Sequence, residues 1–363
     1  MTTRRTFLSS AGLGAAATLA SPAIVKAQDA ITWRFQTYAG GALGEHVTKP
    51  VIDYINANAN GELQVELFYA DQIVPTGELF QALQRGTIDG VHSDDDSMAS
   101  PTPVRSFGGY FPLATKHALD VPVLFNQYGL KEIWEEEYAK VGVKHLSAGA
   151  WDPCHFATKK PVNSLKDLKG LRVFTFPTAG RFMAQFGVVP VSIPWEDVEV
   201  AVQTGELDGI AWSGITEDYT VGWANVTDYF LTNNISGAWI GSFFANMDRW
   251  NELPEDLQTL FRVCCDQSHY YRQWWYWGGE ASLRVNGDKM KLTTIPDLAT
   301  DASGYRKTPF WAQGGLYFNF WQRLRTEVGK IPERRFSTGY LAGTTGAGTR
   351  TQAEMSGIIL NKK

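Results

Sequence analysis

The chain has 363 residues, a formal net charge of −5, 44% hydrophobic residues and 13% aromatic residues. This length favours two domains, and the hydrophobic fraction is sufficient for large cores. The negative net charge argues against nucleic acid as a partner, because phosphate recognition needs a basic surface. After the N-terminal segment, no apolar run approaches the ~20 residues that would span a bilayer.

The first 27 residues predict an export signal. Arg4 and Arg5 form a twin-arginine pattern, a small apolar run follows at 11–20, and residues 25–27 resemble a cleavage site. An uncleaved anchor is the alternative, but the apolar run is short and rich in alanine. We therefore expect a twin-arginine signal peptide at 1–27 and a mature protein in the periplasm.

Strand and helix patterns alternate after this signal. Apolar, β-branched or aromatic runs predict strands, and apolar positions three and four residues apart predict helices. The predicted strands are 31–38, 63–69, 88–92 and 143–146, and the predicted helices are 45–59, 75–85 and 128–141. Asp94, Asp95 and Asp96 follow the third strand and open a loop rich in proline, serine and glycine.

Residues 167–214 have the most regular pattern. Strands are predicted at 171–174, 188–193 and 207–211, and helices at 179–186 and 195–204. Gly187 and Gly205 stand where the helices should end, and Pro194 opens the second helix. This β-α-β-α-β unit predicts an α/β protein with a mostly parallel sheet and a site at the strand ends.

An internal repeat indicates two similar lobes. Residues 81–91 read like residues 200–210, and in both copies a helix ends at glycine before an acidic turn and a short apolar strand. Two α/β lobes that face each other would enclose a cleft, which is a usual place for a small ligand. We expect lobe 1 at 28–148, with 237–260 returning to it, and lobe 2 at 149–236.

The C-terminal part departs from this pattern. A long helical region is expected at 261–296, spanning both lobes. Residues 297–363 contain scattered glycine, threonine and proline, so we expect an atypical tail of low order. The three cysteines, Cys154 and the adjacent pair Cys264 and Cys265, fit a disulfide framework poorly and are expected to be buried thiols.

The combined motifs resemble the solute-binding proteins of tripartite ATP-independent periplasmic (TRAP) transporters, and the subgroup that binds 2-oxo acids is the most similar. The matching stretches lie at 77–90, 164–173, 186–190, 201–209 and 252–261. This resemblance implies a two-lobed periplasmic solute-binding fold with a ligand cleft between the lobes. It also implies membrane permease subunits as partners and a possible homodimer, as in that subgroup.

Two departures from the family pattern bear on the ligand. Phe174 stands where the family has an arginine that binds the ligand carboxylate, and Arg172 lies two residues earlier. The subgroup binds a metal through a glutamate and a glutamine, where this chain has Ala211 and Pro153. We therefore predict no metal and no cofactor.

The predicted site follows from the strand ends and the aromatic residues near them. The candidate ligand-binding residues are His92, Asp94, Asp95, Asp96, Trp151, Arg172, Phe174, Trp212 and Trp239. Carboxylates beside aromatic faces favour a small cationic amine such as ethanolamine. The first alternative is a small 2-oxo acid anchored by Arg172. The second is an exported enzyme, which is disfavoured because no catalytic motif is present.

Overall fold

A computed structural model describes residues 30–105 and 118–296 of the chain. The predicted signal peptide and C-terminal tail therefore lie outside the described residues. In the described part, no helix combines the length and apolar character needed to cross a membrane.

The strands in chain order are β1 (Ile31–Thr37), β2 (Leu63–Phe68), β3 (Gly90–Ser93), β4 (Val143–Ala150), β5 (Cys154–Thr158), β6 (Arg172–Thr175), β7 (Val189–Val191), β8 (Gly209–Ala211), β9 (Tyr229–Ser236), β10 (Ile240–Asn246) and β11 (Lys291–Thr293).

Helices cover both faces of the two sheets that these strands form. The α-helices are α1 (Gly41–Val47), α2 (Lys49–Asn58), α3 (Leu79–Gln84), α4 (Asp120–Gln127), α5 (Leu130–Ala139), α6 (Pro177–Met183), α7 (Val198–Thr204), α8 (Ile215–Thr220), α9 (Met247–Asn251) and α10 (Glu255–Asn286). Short 3₁₀ turns lie at Thr76–Glu78, Leu165–Leu168, Ala184–Phe186, Trp195–Asp197 and Trp223–Asn225.

Each lobe is built on one sheet. The first sheet has the order β2-β1-β3-β10-β4, and the second has the order β11-β9-β5-β8-β6-β7. In the first, β1 pairs in parallel with β2 and β3. In the second, β6 pairs in parallel with β7 and β8. The predicted two-lobed α/β fold is confirmed, and the central β-α-β-α-β unit forms within the second sheet.

The internal repeat corresponds to the same hydrogen bond between an acidic side chain and the backbone in each lobe. In lobe 1 the carboxylate of Asp89 accepts a hydrogen bond of 2.7 Å from the backbone N–H of Arg34. In lobe 2 the carboxylate of Asp208 accepts one of 2.9 Å from the backbone N–H of Arg172. In both lobes the acidic residue in the turn before one strand thus bonds to the backbone of the neighbouring parallel strand.

Two predicted helices differ from those observed. The helix expected at 45–59 is two helices, α1 and α2, which meet at Thr48. Pro50 lies in the first turn of α2, where its missing N–H is tolerated, and it prevents the first helix from continuing. The long helix α10 runs from Glu255 to Asn286, so it begins earlier and ends earlier than the long helical region expected at 261–296.

Helix α10 connects the two lobes. Its 32 residues extend about 48 Å and pack against α2 and β4 of lobe 1 and against α8 of lobe 2. One buried cluster, containing Trp33, Phe35 and Phe261, fills the space between the first sheet, α2 and α10. A second cluster runs without interruption from lobe 1 into lobe 2. The three cysteines are free and buried, as predicted.

Candidate ligand-binding site between the lobes

An aromatic group from lobe 1 lies where the two lobes meet. Tyr38 follows β1, Trp151 follows β4, and Trp239 precedes β10. The ring centroids of Tyr38 and Trp151 are 4.5 Å apart, and those of Trp151 and Trp239 are 3.8 Å apart. All three side chains are buried. The strand ends of lobe 1 therefore present an apolar, aromatic wall.

Lobe 2 faces this wall with a second aromatic group. Trp212 follows β8 and stacks between Phe174 and Phe176, with centroid distances of 4.8 Å and 3.6 Å. Trp195 contacts Trp212 edge-on at 5.2 Å and reaches across to Tyr38 at 6.1 Å. The aromatic rings thus form one continuous lining across the lobe boundary.

A cavity of about 540 Å³ opens beside these rings. Both lobes line it, with Tyr38, Asp96 and Ser97 on one side and Phe174, Trp195 and Trp212 on the other. Its volume suits a small molecule. The location, at the strand ends between two lobes, is the one expected from the sequence.

Several buried polar groups of this region have an atom without a hydrogen-bond partner among the described residues. Among them are the hydroxyl of Tyr38, Oδ2 of Asp94 and Oε1 of Glu217. The other oxygen of Glu217 accepts a hydrogen bond of 2.9 Å from the hydroxyl of Tyr276. The other oxygen of Asp94 accepts from the backbone N–H groups of Asp96 and Ser97.

These unpaired atoms are electrostatic neighbours. Burial raises the pKa of Tyr38, and the carboxylates of Glu217 and Asp94 raise it further. Arg272, on α10, opposes this effect. Since buried polar groups are normally paired, three unpaired atoms at one interface indicate that a ligand or ordered water completes them.

Acidic groups outnumber basic groups in the interior. The buried acidic residues of the described chain are Asp89, Asp94, Asp95, Asp96, Glu137, Asp152, Glu217 and Asp218, and the buried basic residue is Arg272. Asp89, Asp96 and Glu137 form ion pairs with partly exposed bases. The buried histidines add no compensating charge, because burial lowers the pKa of His92, His145 and His155.

Two carboxyl groups at the lobe boundary have pKa values close to neutral. Burial raises the pKa of Asp94 to about 7, although hydrogen bonds from Ser97 oppose the shift. Burial also raises the pKa of Glu217 to about 7, opposed by hydrogen bonds from Tyr276 and Ser213. A cation placed beside either group would favour its ionised form.

Arg272 is held inside the protein without a carboxylate partner within ion-pair distance among the described residues. It is 2% exposed, and its guanidinium lies 4.7 Å from the ring centroid of Trp151. Its Nη1 is 3.1 Å from Nε2 of His92. Burial lowers the pKa of Arg272 to about 10. The group is therefore cationic at neutral pH and partly offsets the nearby acids.

The prediction that all three consecutive aspartates face the cleft is wrong for Asp95. Its carboxylate turns into the core of lobe 1 and accepts hydrogen bonds from the hydroxyl of Tyr138 and, at 3.5 Å, from Nε1 of Trp134. Asp96 does lie at the boundary, where it accepts a hydrogen bond of 2.8 Å from the backbone N–H of Thr178 in lobe 2.

His92 and Arg172 also lie away from the cavity lining. His92 stacks on Phe243 at 3.9 Å and is 2.8 Å from Oγ1 of Thr48. Arg172, at the start of β6, bonds the Asp208 carboxylate through Nε at 3.0 Å and the Gly205 carbonyl oxygen through Nη2 at 2.6 Å. Its guanidinium is thus occupied at the opposite end of the strand from the cavity.

Sequence reasoning missed several residues of this site. Tyr38 and Trp195 line the cavity, Phe176 stacks on Trp212, and Glu217 and Arg272 are buried charged residues near Tyr38. Tyr38 was detectable as the last residue of a predicted strand. Glu217 and Arg272 lie on helices, and spacing alone does not tell which helical residues turn inward. Within the described residues, no group of three or more histidine, cysteine, aspartate or glutamate side chains is placed to hold a metal ion.

Known proteins that are similar to this chain include periplasmic solute-binding proteins. A crystal structure of a TRAP periplasmic solute-binding protein from Chromohalobacter salexigens, with (S)-(+)-2-amino-1-propanol bound, is 66% identical in sequence and has a TM-score of 0.77. The alignment covers 90% of this chain and 97% of that one. A Nostoc protein described as a monocarboxylate 2-oxoacid-binding periplasmic protein is 24% identical over 270 residues, which are 72% of this chain and 73% of its own.

A more distant structure shares the fold. A TRAP solute-binding protein from Bordetella bronchiseptica, solved as a dimer with calcium and picolinate, is 19% identical, with a TM-score of 0.68 over 88% of this chain and 98% of that one. The family model for bacterial extracellular solute-binding proteins, family 7, matches residues 43–295. The chain therefore belongs to family 7 of the bacterial extracellular solute-binding proteins, the receptors of TRAP transporters.

Proposed function

We propose that this protein is the periplasmic receptor of a TRAP transporter and that it binds a small cationic amine, such as ethanolamine or 2-amino-1-propanol. The observation that carries the proposal is the lining of the cavity, in which the described residues combine aromatic rings with the carboxyl groups of Asp71 and Asp96 and include no basic side chain. An ammonium group gains from aromatic faces and from carboxylates when all of them are shielded from water. The relative from Chromohalobacter salexigens, which holds an amino alcohol, supports the same ligand class.

The rest of the proposal follows from family membership. The receptor is exported through its twin-arginine signal, captures its ligand between the lobes, and delivers it to the membrane permease subunits. It performs no catalysis. The dimer of the Bordetella bronchiseptica relative supports a homodimer as the assembly.

A small 2-oxo acid is the competing ligand, and the Nostoc relative favours it. A buried carboxylate ligand needs a positive partner with several donors. Phe174 cannot supply one, and the Arg172 guanidinium is bonded to Asp208 and to the Gly205 carbonyl oxygen. The buried Arg272 does not line the cavity, and its guanidinium contacts Trp151, His92 and His269. An acid would also meet Asp94 and Glu217, whose like charge opposes it. We therefore favour the amine.

Calorimetric titration of the full chain with ethanolamine, 2-amino-1-propanol and pyruvate tests this choice. We expect both amines to bind and pyruvate not to bind. Glu217→Gln should weaken amine binding about 10- to 100-fold, which corresponds to the loss of one charge-assisted hydrogen bond.

Arg172→Ala is the discriminating control, because it removes the anchor that the 2-oxo-acid alternative requires. We expect it to leave amine binding unchanged. Tight pyruvate binding that Arg172→Ala abolishes would overturn the proposal and make this protein a receptor for organic acids.

A further inference from the structure

Two contacts join the lobes beside the cavity and indicate how ligand size is selected, an inference that rests on the function proposed above. The first is the hydrogen bond of 2.8 Å that the backbone N–H of Thr178, in lobe 2, donates to Oδ2 of Asp96, in lobe 1. Asp96 is 2% exposed and lines the cavity. Its Oδ1 accepts a hydrogen bond of 3.1 Å from Nε of Arg105, which fixes the carboxylate in place. Each oxygen has a second lone pair, so Asp96 can bridge the lobes and still face a ligand.

The second contact is the close approach of Gly40, in lobe 1, to the 3₁₀ turn of lobe 2. A Cβ atom at Gly40 would lie 2.7 Å from Oε1 of Glu196 and 2.8 Å from Nε1 of Trp195. The backbone of Gly40 has φ −62° and ψ 167°, which residues of any type adopt. Its conformation therefore does not require glycine, and the reason for glycine at this position is the space that lobe 2 occupies.

Trp195 cannot easily move aside within lobe 2. Its ring centroid is 4.7 Å from that of Trp223 and 5.2 Å from that of Trp212. Tyr38 of lobe 1 faces it across the boundary at 6.1 Å. Atoms in contact normally lie ~3.5 to 4 Å apart, so a side chain at position 40 would push Trp195 away from lobe 1 by roughly 1 Å. Because Tyr38 and Trp195 both line the cavity, this shift would widen it.

We propose that Gly40 is a specificity-determining residue, which lets lobe 2 close far enough onto lobe 1 to restrict the cavity to small ligands. Asp96 is the positioning residue that holds this closed arrangement through the backbone of Thr178. A small amine then contacts the walls of both lobes at once. With a side chain at position 40 the lobes stop short of this arrangement, so a small amine loses contact with one wall while a larger amine keeps both.

Calorimetric titration of the full chain with three amines of increasing size tests the role of Gly40. The amines are ethanolamine, 2-amino-1-propanol and 2-amino-3-methyl-1-butanol, and we expect the wild type to bind the third most weakly. Gly40→Ala should weaken binding of the two smaller amines about 10-fold, because the added methyl group opposes closure. It should weaken binding of the third amine less, so the ratio of affinities shifts towards the larger ligand.

The neighbouring glycine supplies the matched control. A Cβ atom at Gly41 would meet no other atom within 4 Å. Gly41→Ala therefore makes the same chemical change one residue away without touching lobe 2. It should leave all three affinities and their ratios unchanged.

Hydrogen exchange at the Thr178 amide reports the closed arrangement without any ligand. This N–H is bonded to Asp96 of the other lobe, so its exchange rate follows how often the lobes separate. Gly40→Ala should speed the exchange in the ligand-free chain, although the substitution lies in lobe 1. Asp96→Asn should also speed it, because the bond loses its charge, and should weaken all three amines by a similar factor, since it loosens closure without widening the closed cavity.

The outcomes separate this inference from the proposed function. Amine binding with the same affinity ratios in Gly40→Ala and wild type would overturn the role of Gly40 and leave the receptor function intact. Equal exchange rates of the Thr178 amide in these two chains would overturn the closure contact itself. Faster exchange in Gly40→Ala, together with no binding of any amine to the wild type, would overturn the proposed function and support the closure contact.

Discussion

The two lobes begin their paired parallel strands in the same way and end them differently. Asp89 in lobe 1 and Asp208 in lobe 2 accept equivalent backbone hydrogen bonds at the strand starts. At the other end, β3 leads to the buried carboxyl group of Asp94, whereas β8 leads to the indole of Trp212. At equivalent strand ends, one lobe thus has a buried carboxyl group and the other has an aromatic ring that lines the cavity.

This difference separates residues that maintain the fold from residues that select the ligand. The repeated acidic residue and the glycine after it make their contacts within their own sheet. The residues beyond the strand ends face the opposite lobe, so they differ between the lobes without disturbing either sheet. The following substitutions are designed to test that separation.

The largest effect is expected from the acidic residue of lobe 1. Asp89→Ala should lower the free energy of unfolding by about 3 kcal/mol, because it strands the Arg34 N–H and the guanidinium of Arg249, whose Nε lies 2.9 Å from the carboxylate. Asp208→Ala should cost less, since both Asp208 and Arg172 are partly exposed and solvent can replace the lost contacts. Urea unfolding monitored by circular dichroism measures both, and equal losses would contradict the comparison.

The glycines that follow these residues should rank next. A Cβ atom at Gly209 would lie 2.6 Å from the Ala157 carbonyl oxygen, which belongs to the neighbouring strand β5. At Gly90 it would meet the side chain of Phe35, 2.3 Å away. We expect Gly209→Ala to cost about 2 kcal/mol and Gly90→Ala about 1 kcal/mol, because a ring can shift more readily than a paired backbone. The same unfolding assay applies, and a larger loss at Gly90 would show that the Phe35 ring cannot yield.

The smallest effects are opposite pH dependences in the two lobes. Asp95 of lobe 1 has its pKa raised to about 7, so its contribution to stability is complete below about pH 4 and is lost as the pH rises to about 7. His155 of lobe 2 has its pKa lowered to about 3, so its contribution is complete above about pH 6.5 and is lost as the pH falls towards 3.

Substitution of either residue should remove its contribution to the change of stability with pH. Asp95→Asn should gain stability relative to the wild type between about pH 4 and 7, and His155→Gln should gain it as the pH falls from about 6.5. Each stability difference should grow in the stated direction across its pH range. Thermal unfolding across this pH range measures both, and parallel curves for wild type and variant would refute the burial-driven shifts.

Sequence reasoning succeeded where local chemistry decides the outcome. Gly187 and Gly205 adopt the left-handed conformation at helix ends, as their positions after the helical patterns predicted. The repeat identified the two lobes because each copy has the same local pattern, in which a helix ends at glycine before an acidic turn. This pattern determines the path of the backbone. The strand ends, and with them the location of the cavity, followed from this pattern.

The orientation of individual side chains could not be read from the sequence in the same way. Asp94, Asp95 and Asp96 are adjacent in the chain, yet the turn after β3 directs them to different surroundings. The direction of each depends on partners far away in sequence, such as Tyr138 and Thr178. The same is true of Arg272, whose position is determined by the packing of α10 over the end of the first sheet.

The closely packed indoles of the site give the protein an optical signal of its own. Trp151 and Trp239 lie with their ring centroids 3.8 Å apart and their planes inclined at 73°. At this separation and angle the electronic transitions of two indoles couple, which produces a paired positive and negative band in the circular dichroism spectrum. Because both rings border the lobe boundary, any ligand that changes their mutual angle changes the band, so occupancy can be followed without a label.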